Sequence, residues 1–414
     1  MLNEPDINIE KFGISLELYK KLQCIHKIVS NPNNSIFIFH DGDSDGLCSY
    51  LQLKNSFKTI KKGHFITKEE EIQKIALQSI NAKTTHIIFL DTPSIDPFII
   101  SQILSSKKEI IILDHHKIDK KILKMYEKSK NITYINPLLY DENDSRPITF
   151  FSYLLCNKSK LNLEYALIGS VADFYITPVF LDLNENLNIL QTQMLKNIDT
   201  TLFQTIASNL KQDPFYYISN KVENAQIIQK LSYSTYLGTF KQFFDFIFKN
   251  TNKSQEYSLL IQKFDSTDEL LREINAAQYP PFSEFEKYTS KYKKILQKAY
   301  LKLENKNSIN SQNNSKILII EHKGKTSYNR QLSEQALYEK NISISCSIHQ
   351  KYERAFISGS IRSIPTINLH KILGEIFQGI ENVKWGGHPQ ACGFQFPEEF
   401  REDFKTKLLN SLKK

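Results

Sequence analysis

Four short apolar runs constrain this chain more than any other feature. "SIFIFH" (35–40), "HIIFLD" (86–91), "EIIILDHH" (109–116) and "NITYINP" (131–137) are rich in β-branched and aromatic residues, and they show little polar alternation. A strand that is apolar on both faces must be buried on both, and this is the condition of a parallel sheet covered by helices on either side. The intervals supply helix-like stretches such as "KEEEIQKIALQSI" and "IDPFIISQILSS". The pattern predicts an α/β domain in which strands and helices alternate. In such sheets the working crevice lies beyond the carboxyl ends of the strands.

The polar residues gather at those ends. The first run passes into "DGDSDG", with Asp41, Asp43 and Asp45 at alternate positions. The second ends in Asp91, the third in Asp114, His115 and His116, and a later apolar segment, "YALIGSVADFY", delivers Asp173. One acid after a strand is ordinarily a helix cap. So many acids converging on one crevice repel one another unless cations lie between them. Oxygen ligands with one or two imidazoles and no thiolate suit manganese or magnesium, with the histidine favouring manganese and zinc remaining open. There are more carboxylates than one ion needs, which points to two metals clamping an in-line displacement at phosphorus. Gly42 and Gly46 let the loop turn tightly.

Composition bounds the class. The chain has 414 residues, 41% hydrophobic and 24% charged, enough for two or three globular domains. No run approaches the roughly 18 apolar residues of a membrane span. The opening "MLNEPDINIEKFG" lacks the layout of a signal peptide. Cys24, Cys48, Cys156, Cys346 and Cys392 are scattered, odd in number and free of CxxC spacing, so a cytoplasmic protein without disulfides or structural zinc is expected. The net charge of +8 suits a polyanionic partner, although a lysine bias with abundant Asn and Ile also produces it. Only six basic residues are arginine, so each arginine is informative.

"LDHHK", following a DxDxDG loop and an isolated strand-end Asp, resembles the DHH phosphoesterase superfamily. The C-terminal "FISGSIRSIPTINLHKIL" (356–373) and "WGGHPQACGF" (385–394) resemble the DHH-associated domain, with its Ser-x-Arg-Ser and Gly-Gly-His signatures. Within the superfamily the chain looks closest to RecJ-type single-strand nucleases, the archaeal RecJ-like branch nearer than the bacterial one. The resemblance implies hydrolysis of phosphodiesters by water activated between two metal ions, Mn2+ or Mg2+. It also implies roles. Asp43 and Asp45 each hold one metal, Asp91 bridges both, and His115 and Asp173 complete the ligand set. Asp114 orients the site from behind the ligands and His116 faces the substrate phosphate, which makes these two the catalytic candidates. Asp41 stands where relatives vary between Asp and His, and is a further candidate ligand. Ser44 replaces the usual small residue, and "FLDTP" lacks the usual glycine-containing turn; neither removes a ligand.

The C-terminal segments predict strands at "SKILIIEH", "ISISCSI" and "RAFISGSIRS" and a helix at "SYNRQLSEQALYEK". Ser360, Arg362, Ser363, Gly386, Gly387 and His388 are candidate phosphate-binding residues, with Arg362 offering a forked donor. Trp385 is either a base-stacking platform or core. Arg146, in "NPLLYDENDSRPITF" (136–150), either reaches the scissile region or is a solvated loop residue. The expected organisation is a parallel-sheet DHH domain (1–185), a helical connector across a cleft (186–305) and a smaller α/β DHH-associated domain (306–414). Residues 304–316, polar and low in complexity, read as a flexible loop. The expected function is metal-dependent exonucleolytic cleavage of single-stranded DNA or RNA, with replication or repair proteins as further partners and no membrane association. A small-substrate phosphoesterase and a replisome scaffold are the competing readings.

Overall fold

The computed structural model describes residues 7–66, 83–92, 95–142, 144, 146–173, 175–185, 200–214, 231, 236–250, 253–307, 317–339, 342–351, 355–364 and 366–411. The helix expected at "KEEEIQKIALQSI" and the part of the polar segment beyond residue 307 lie outside the described residues. The chain divides into two compact units, Met1–Ile218 with Lys230–Ala276, and Ser219–Gln229 with Ala277–Lys414.

The first unit runs α1 (Ile9–Phe12), α2 (Leu16–Ser30), β1 (Ile36–Asp41), α3 (Ser44–Ser56), β2 (Ile60–Ile66), β3 (His86–Leu90), α4 (Pro97–Ser105), β4 (Glu109–Leu113), α5 (Lys120–Lys128), β5 (Ile132–Ile135), α6 (Ile148–Leu155), α7 (Lys160–Ala172), α8 (Val179–Glu185), α9 (Thr200–Gln212), α10 (Tyr236–Asn250), α11 (Ser254–Ile261) and α12 (Thr267–Ala276). Its five strands form one sheet in the order β2-β1-β3-β4-β5, all pairs parallel. The apolar runs explain this. Phe37, Phe39, Ile87, Phe89, Ile110 and Ile112 pack on one face against Ile99, Ile100 and Ile103 of α4 and Tyr126 of α5. Ile38, Ile88 and Ile111, between them in sequence, are equally buried. Helix α3 packs against β1, α6 and α7.

Residues 186–305, expected to connect two domains, divide between the units instead. Helix α10 packs on α7 in the first unit. Its Phe240, Phe243, Phe244 and Ile247 are fully buried, so this aromatic helix is core rather than connector.

The second unit contains α13 (Phe282–Asn307), β6 (Ile317–Lys323), α14 (Asn329–Glu339), β7 (Ile344–Gln350), β8 (Phe356–Ser363), α15 (Leu369–Phe377), β9 (Lys384–His388), β10 (Ala391–Pro397) and α16 (Arg401–Asn410). The sheet order is β6-β7-β8-β10-β9, with only β6–β7 parallel. Strand alternation divides it into two unlike faces. Ile344, Cys346, Ile361, Cys392, Phe394 and Phe396 pack beneath α15 and α16, with Leu373, Phe377, Phe404 and Leu408. The opposite face carries Ser345, Ser347, Ser358, Ser360 and Arg362, and α14 packs on its β7 and β8 portion. Cys24 is exposed, and Cys48, Cys156, Cys346 and Cys392 are buried. Among the described residues no helix is long and apolar enough to cross a membrane.

Candidate metal centre and phosphate-binding face

Register brings the acids of the first unit together. His40 of β1 pairs with Leu90 of β3, and Leu90 with Leu113 of β4. Asp41, Asp91 and Asp114 therefore each stand at the carboxyl end of neighbouring strands, which lie about 4.8 Å apart. The strand order reverses between β1 and β3, and this switch point is where parallel sheets of this order open a crevice.

Each loop then fixes its own side chain. Asp43 is the N-cap of α3, and its Oδ1 accepts from Gly46 N at 3.1 Å. A Cβ on Gly46 would lie 2.7 Å from the Asp41 carbonyl oxygen, so glycine is required where α3 closes on the end of β1. Asp45, 1% exposed, accepts at both carboxylate oxygens: Ile148 N donates to Oδ2 at 2.8 Å and Thr149 N to Oδ1 at 2.7 Å. Asp91 is 2% exposed and has φ 58°, a left-handed conformation that Asp tolerates better than most residues. Its Oδ1 accepts no hydrogen bond among the described residues, and His115 Nε2 lies 3.2 Å away. The same imidazole nitrogen is 3.7 Å from Asp173 Oδ2 and 3.8 Å from Asp45 Oδ2. Asp173 reaches the site from the C-cap of α7. "YALIGSVADFY" is thus the end of a buried helix.

Three overlapping groups result: Asp41, Asp43 and Asp91; Asp45, His115 and Asp173; and Asp91, His115 and His116. Within each, the potential ligand atoms lie within 4.8 Å of one another. Asp91 and His115 are each shared by two groups, so the three form one centre. Asp114 stands outside these groups. It is fully buried, and its Oδ1 takes the Nδ1 of His116 at 2.9 Å. The His116 carbonyl accepts from Asn136 Nδ2 at 2.7 Å, which fixes the residue at both ends.

Charge balance in the centre calls for cations. Burial first, then the Asp91 carboxylate, holds the Asp45 pKa well above the ordinary carboxylate range, with His115 opposing. Burial first, then Asp43, does the same to Asp91. Burial alone would lower His116, but its bond to Asp114 and the nearby Asp91 outweigh that and raise it. The donor set is hard oxygen with imidazole, and among the described residues Asp91 Oδ1 and Asp114 Oδ2 are buried without a hydrogen-bond partner. These features fit divalent ions of the manganese or magnesium type.

Arg146 departs from both expectations for it. It is 1% exposed, and Nε and Nη2 fork onto Asp144 Oδ1 and Oδ2, both at 2.7 Å. Nη1 donates to the Phe12 carbonyl at 2.5 Å and Nη2 to that of Gly13 at 3.0 Å. A buried guanidinium engaged in this way contacts no substrate, so it leaves the substrate-binding set.

In the second unit, strand alternation splits the candidate residues. Arg362 pairs with Ala391, Ser360 with Gly393, and Gly393 with Gly386, all in rows of the polar face. Gly386 has open space where a Cβ would stand. Ile361, Cys392 and Gly387 form a row of the apolar face. Gly387 has φ 134°, and a Cβ there would lie 2.3 Å from the Ala391 carbonyl oxygen. Ser363 Oγ donates to the Ile367 carbonyl at 3.0 Å and closes a turn. The backbone of His388 pairs with Ala391, on the Arg362 side; its side chain lies outside the described residues. Trp385 pairs with Phe394 on the apolar side, its ring edge-on to His370 at 5.4 Å. It therefore borders the core rather than sharing a face with Arg362.

Arg362 is held before any ligand arrives. Nη1 donates to Ser360 Oγ at 2.8 Å and to the Ile361 carbonyl at 3.1 Å, and Nη2 to Glu334 Oε1 at 3.4 Å. Arg330 Nε donates to the same oxygen at 3.1 Å. The sequence reading missed Glu334 and Arg330, although Arg330 is one of six arginines and stands four residues before a glutamate on a helix. It also missed the Ile148 and Thr149 amides, for which the signal was a helix opening after "RP".

Fold and site together define a two-domain α/β protein with an acid–imidazole centre at a sheet switch point and a polar face bearing Ser360 and Arg362 on a second sheet. Residues 315–414 match the family model of the DHHA1 domain. Among solved structures, RecJ from Thermus thermophilus in complex with Mn2+ matches with a TM-score of 0.50 at 13% identity, over 95% of this chain and 54% of that one. An exonuclease RecJ bound to manganese matches with a TM-score of 0.50 at 12% identity, over 94% and 92% of the respective chains. CDC45 from Entamoeba histolytica matches with a TM-score of 0.47 at 12% identity, over 94% and 98%. This chain thus spans about half the length of the Thermus protein. Curated protein sequences give no match. The chain has the two-domain fold of RecJ and carries a DHHA1 domain, and the resemblance to the DHH phosphoesterases rests on both.

Proposed function

We propose that this protein hydrolyses phosphodiester bonds of single-stranded nucleic acid from an end, using two divalent metal ions. The observation that carries the reading is the contiguous centre at the switch point, with Asp91 and His115 each shared between ligand groups. Asp41 and Asp43 with Asp91 would hold one ion, and Asp45, His115 and Asp173 the other. Bound there, such ions lower the pKa of water and offset charge on the phosphoryl oxygens. The chain's own residues do the rest. Asp114 keeps His116 oriented and biased toward its protonated form, and the ring is 44% exposed, free to donate to a substrate oxygen. Asp45 and Asp91 are buried, which keeps bulk water from competing for their oxygens. Arg362, with Ser360 beside it, presents a fixed guanidinium to a backbone phosphate, away from the scissile one.

An isolated phosphate would need no such second face, and the basic surplus suits a polymer. A protein acting only as a scaffold would have no use for an intact set of carboxylates that destabilise one another. The test is the product ladder from end-labelled single-stranded DNA and RNA, in manganese and in excess chelator. Stepwise mononucleotide release from single strands, absent in chelator, is expected. Cleavage confined to dinucleotides would replace this reading with the small-substrate one. Undiminished cleavage in chelator would end the two-metal assignment.

A further inference from the structure

The N-terminus of α6 leads to a role for Arg146. The helix begins at Ile148 after Pro147, whose side chain makes no capping bond. The first N–H groups of a helix need acceptors, and the N-terminus carries partial positive charge. Here the acceptor comes from far along the chain: Ile148 N and Thr149 N both donate to Asp45. Asp45 is therefore aimed by the first turn of α6, and its aim is only as good as that turn's own anchorage.

Arg146 supplies the anchorage. It lies two residues before Ile148, and on one side its guanidinium holds the Phe12 and Gly13 carbonyls, in the turn between α1 and α2. On the other it grips Asp144 with a fork, while its flat face lies over Phe150 at 4.6 Å and near Phe151 at 5.7 Å, both on α6 itself. One side chain thus ties the N-terminal turn, the loop and the first turn of α6 into a single body. Only a planar group with five donors can make these contacts at once.

Resting on the function proposed above, we infer that Arg146 is a positioning residue: its clasp with Asp144, Phe12 and Gly13 fixes the α6 amides that hold the Asp45 carboxylate in place for its metal ion. Lysine in its place keeps the charge but cannot fork. The first turn of α6 then loosens, and Asp45 turns away from His115 and Asp173.

The experiment compares Arg146→Lys and Asp144→Asn with wild type by amide hydrogen exchange in chelator, and by Mn2+ titration calorimetry. Ile110→Val, a core change in the same unit, serves as a control for general loss of stability. Exchange of the Ile148 and Thr149 amides should quicken at least tenfold in both clasp variants, while Leu154 and Leu155 at the far end of α6 keep their protection. Mn2+ affinity should fall about tenfold, and the control should change neither quantity. If Arg146→Lys does not fold, Asp144→Asn carries the comparison, since it leaves the bonds to Phe12 and Gly13 intact. Unchanged exchange at Ile148 and Thr149, or equal loosening along the whole of α6 and in the control, overturns the inference. Wild-type protein that binds no Mn2+ while the exchange result holds would instead refute the metal-centre reading and leave Arg146 as the anchor of Asp45.

Discussion

Replacing Asp91 by Asn should make the metal-free protein more stable while abolishing its activity. The two effects have one cause. In the group with Asp41 and Asp43 the potential ligand atoms lie within 4.8 Å of one another. Two unit charges at that distance repel by about 3.5 kcal/mol at an effective dielectric constant of about 20. Asp41 and Asp43 are half-buried, so solvent screens part of this, and removing one charge should stabilise the metal-free fold by about 1–2 kcal/mol. For a unit of this size that is a rise in Tm of about 2–8 °C. Asn is the proper substitution because position 91 has φ 58°, where Asn is tolerated and Ala is strained. The pH dependence has a definite sign. Burial first, then Asp43, raises the folded-state pKa of Asp91, so the stability this group contributes is present at low pH and lost as pH rises through that raised value. The advantage of the variant should therefore be greatest at neutral pH and vanish near pH 4, where the wild-type carboxyl is protonated. Manganese should reverse the order. Saturation at about a hundred times Kd stabilises the wild type by about 2.7 kcal/mol and the variant far less. Turnover should fall at least about a hundredfold, as when a preorganised charge-stabilising group is lost. Scanning calorimetry in chelator and in Mn2+, from pH 4 to 8, measures both. A variant less stable than wild type in chelator, or equally stabilised by Mn2+, would refute the reasoning.

Other perturbations test separate parts of the molecule. Arg362→Ala should weaken binding to long single strands about ten- to a hundredfold and flatten its salt dependence, while cleavage of a nitrophenyl phosphodiester barely changes. Anisotropy titrations across a salt series read the first and a colorimetric assay the second, and equal losses on both substrates would place Arg362 in the chemical step. Gly46→Ala forces a methyl to within 2.7 Å of the Asp41 carbonyl oxygen and should cost about 1–3 kcal/mol in denaturant unfolding. An unchanged midpoint would show that α3 and β1 can part without penalty. Glu164, buried on α7 and accepting from Thr267, has its pKa pushed up to about 7, chiefly by burial. A raised acid pKa means stability held below about pH 4.5 and lost as pH rises through 7, so Glu164→Gln should flatten the decline of urea midpoints between pH 5 and 8, by at most about 3 kcal/mol. Parallel midpoint curves for variant and wild type would count against this.

Four strands of the first sheet were legible because their apolar runs are short, rich in β-branched and aromatic residues, and separated by helix-like stretches. β2, "IKKGHFI", escaped notice because an edge strand pairs on one side only, and Lys61 and Lys62 stand exposed in it. The segment before Asp173 was ambiguous in period, since a helix buried all round reads like a buried strand. The acids at the strand ends could be picked out singly, but not the pairing of Asp45 with the amides of Ile148 and Thr149: "RP" marks a helix start, while nothing in residue identity says which distant carboxylate its amides hold. Arg146 shows the limit most plainly. A loop arginine beside proline looks the same in sequence whether it meets solvent, a phosphate or two backbone carbonyls, and only the turn at Phe12 and Gly13, distant in the chain, decides. In the second unit, Gly386 and Gly387 were grouped as one phosphate-binding pair, whereas they lie in a strand whose two faces they serve differently.

The order in which the centre's residues occur along the chain has a consequence for synthesis. Asp41, Asp43 and Asp45 are made first, then Asp91, then His115, and Asp173 comes last, from the end of α7. At roughly 5–20 residues per second, Asp173 follows Asp41 out of the ribosome by about 7 to 26 seconds. During that interval the acids can meet without their full complement of ligands, and each strand added to the parallel sheet sharpens their mutual repulsion. Without metal, closing the loops at the ends of β1, β3 and β4 would therefore be the slowest part of folding, opposed by that repulsion though not prevented by it. On the function proposed above, a divalent ion would then quicken the last step of folding as well as serve the finished protein.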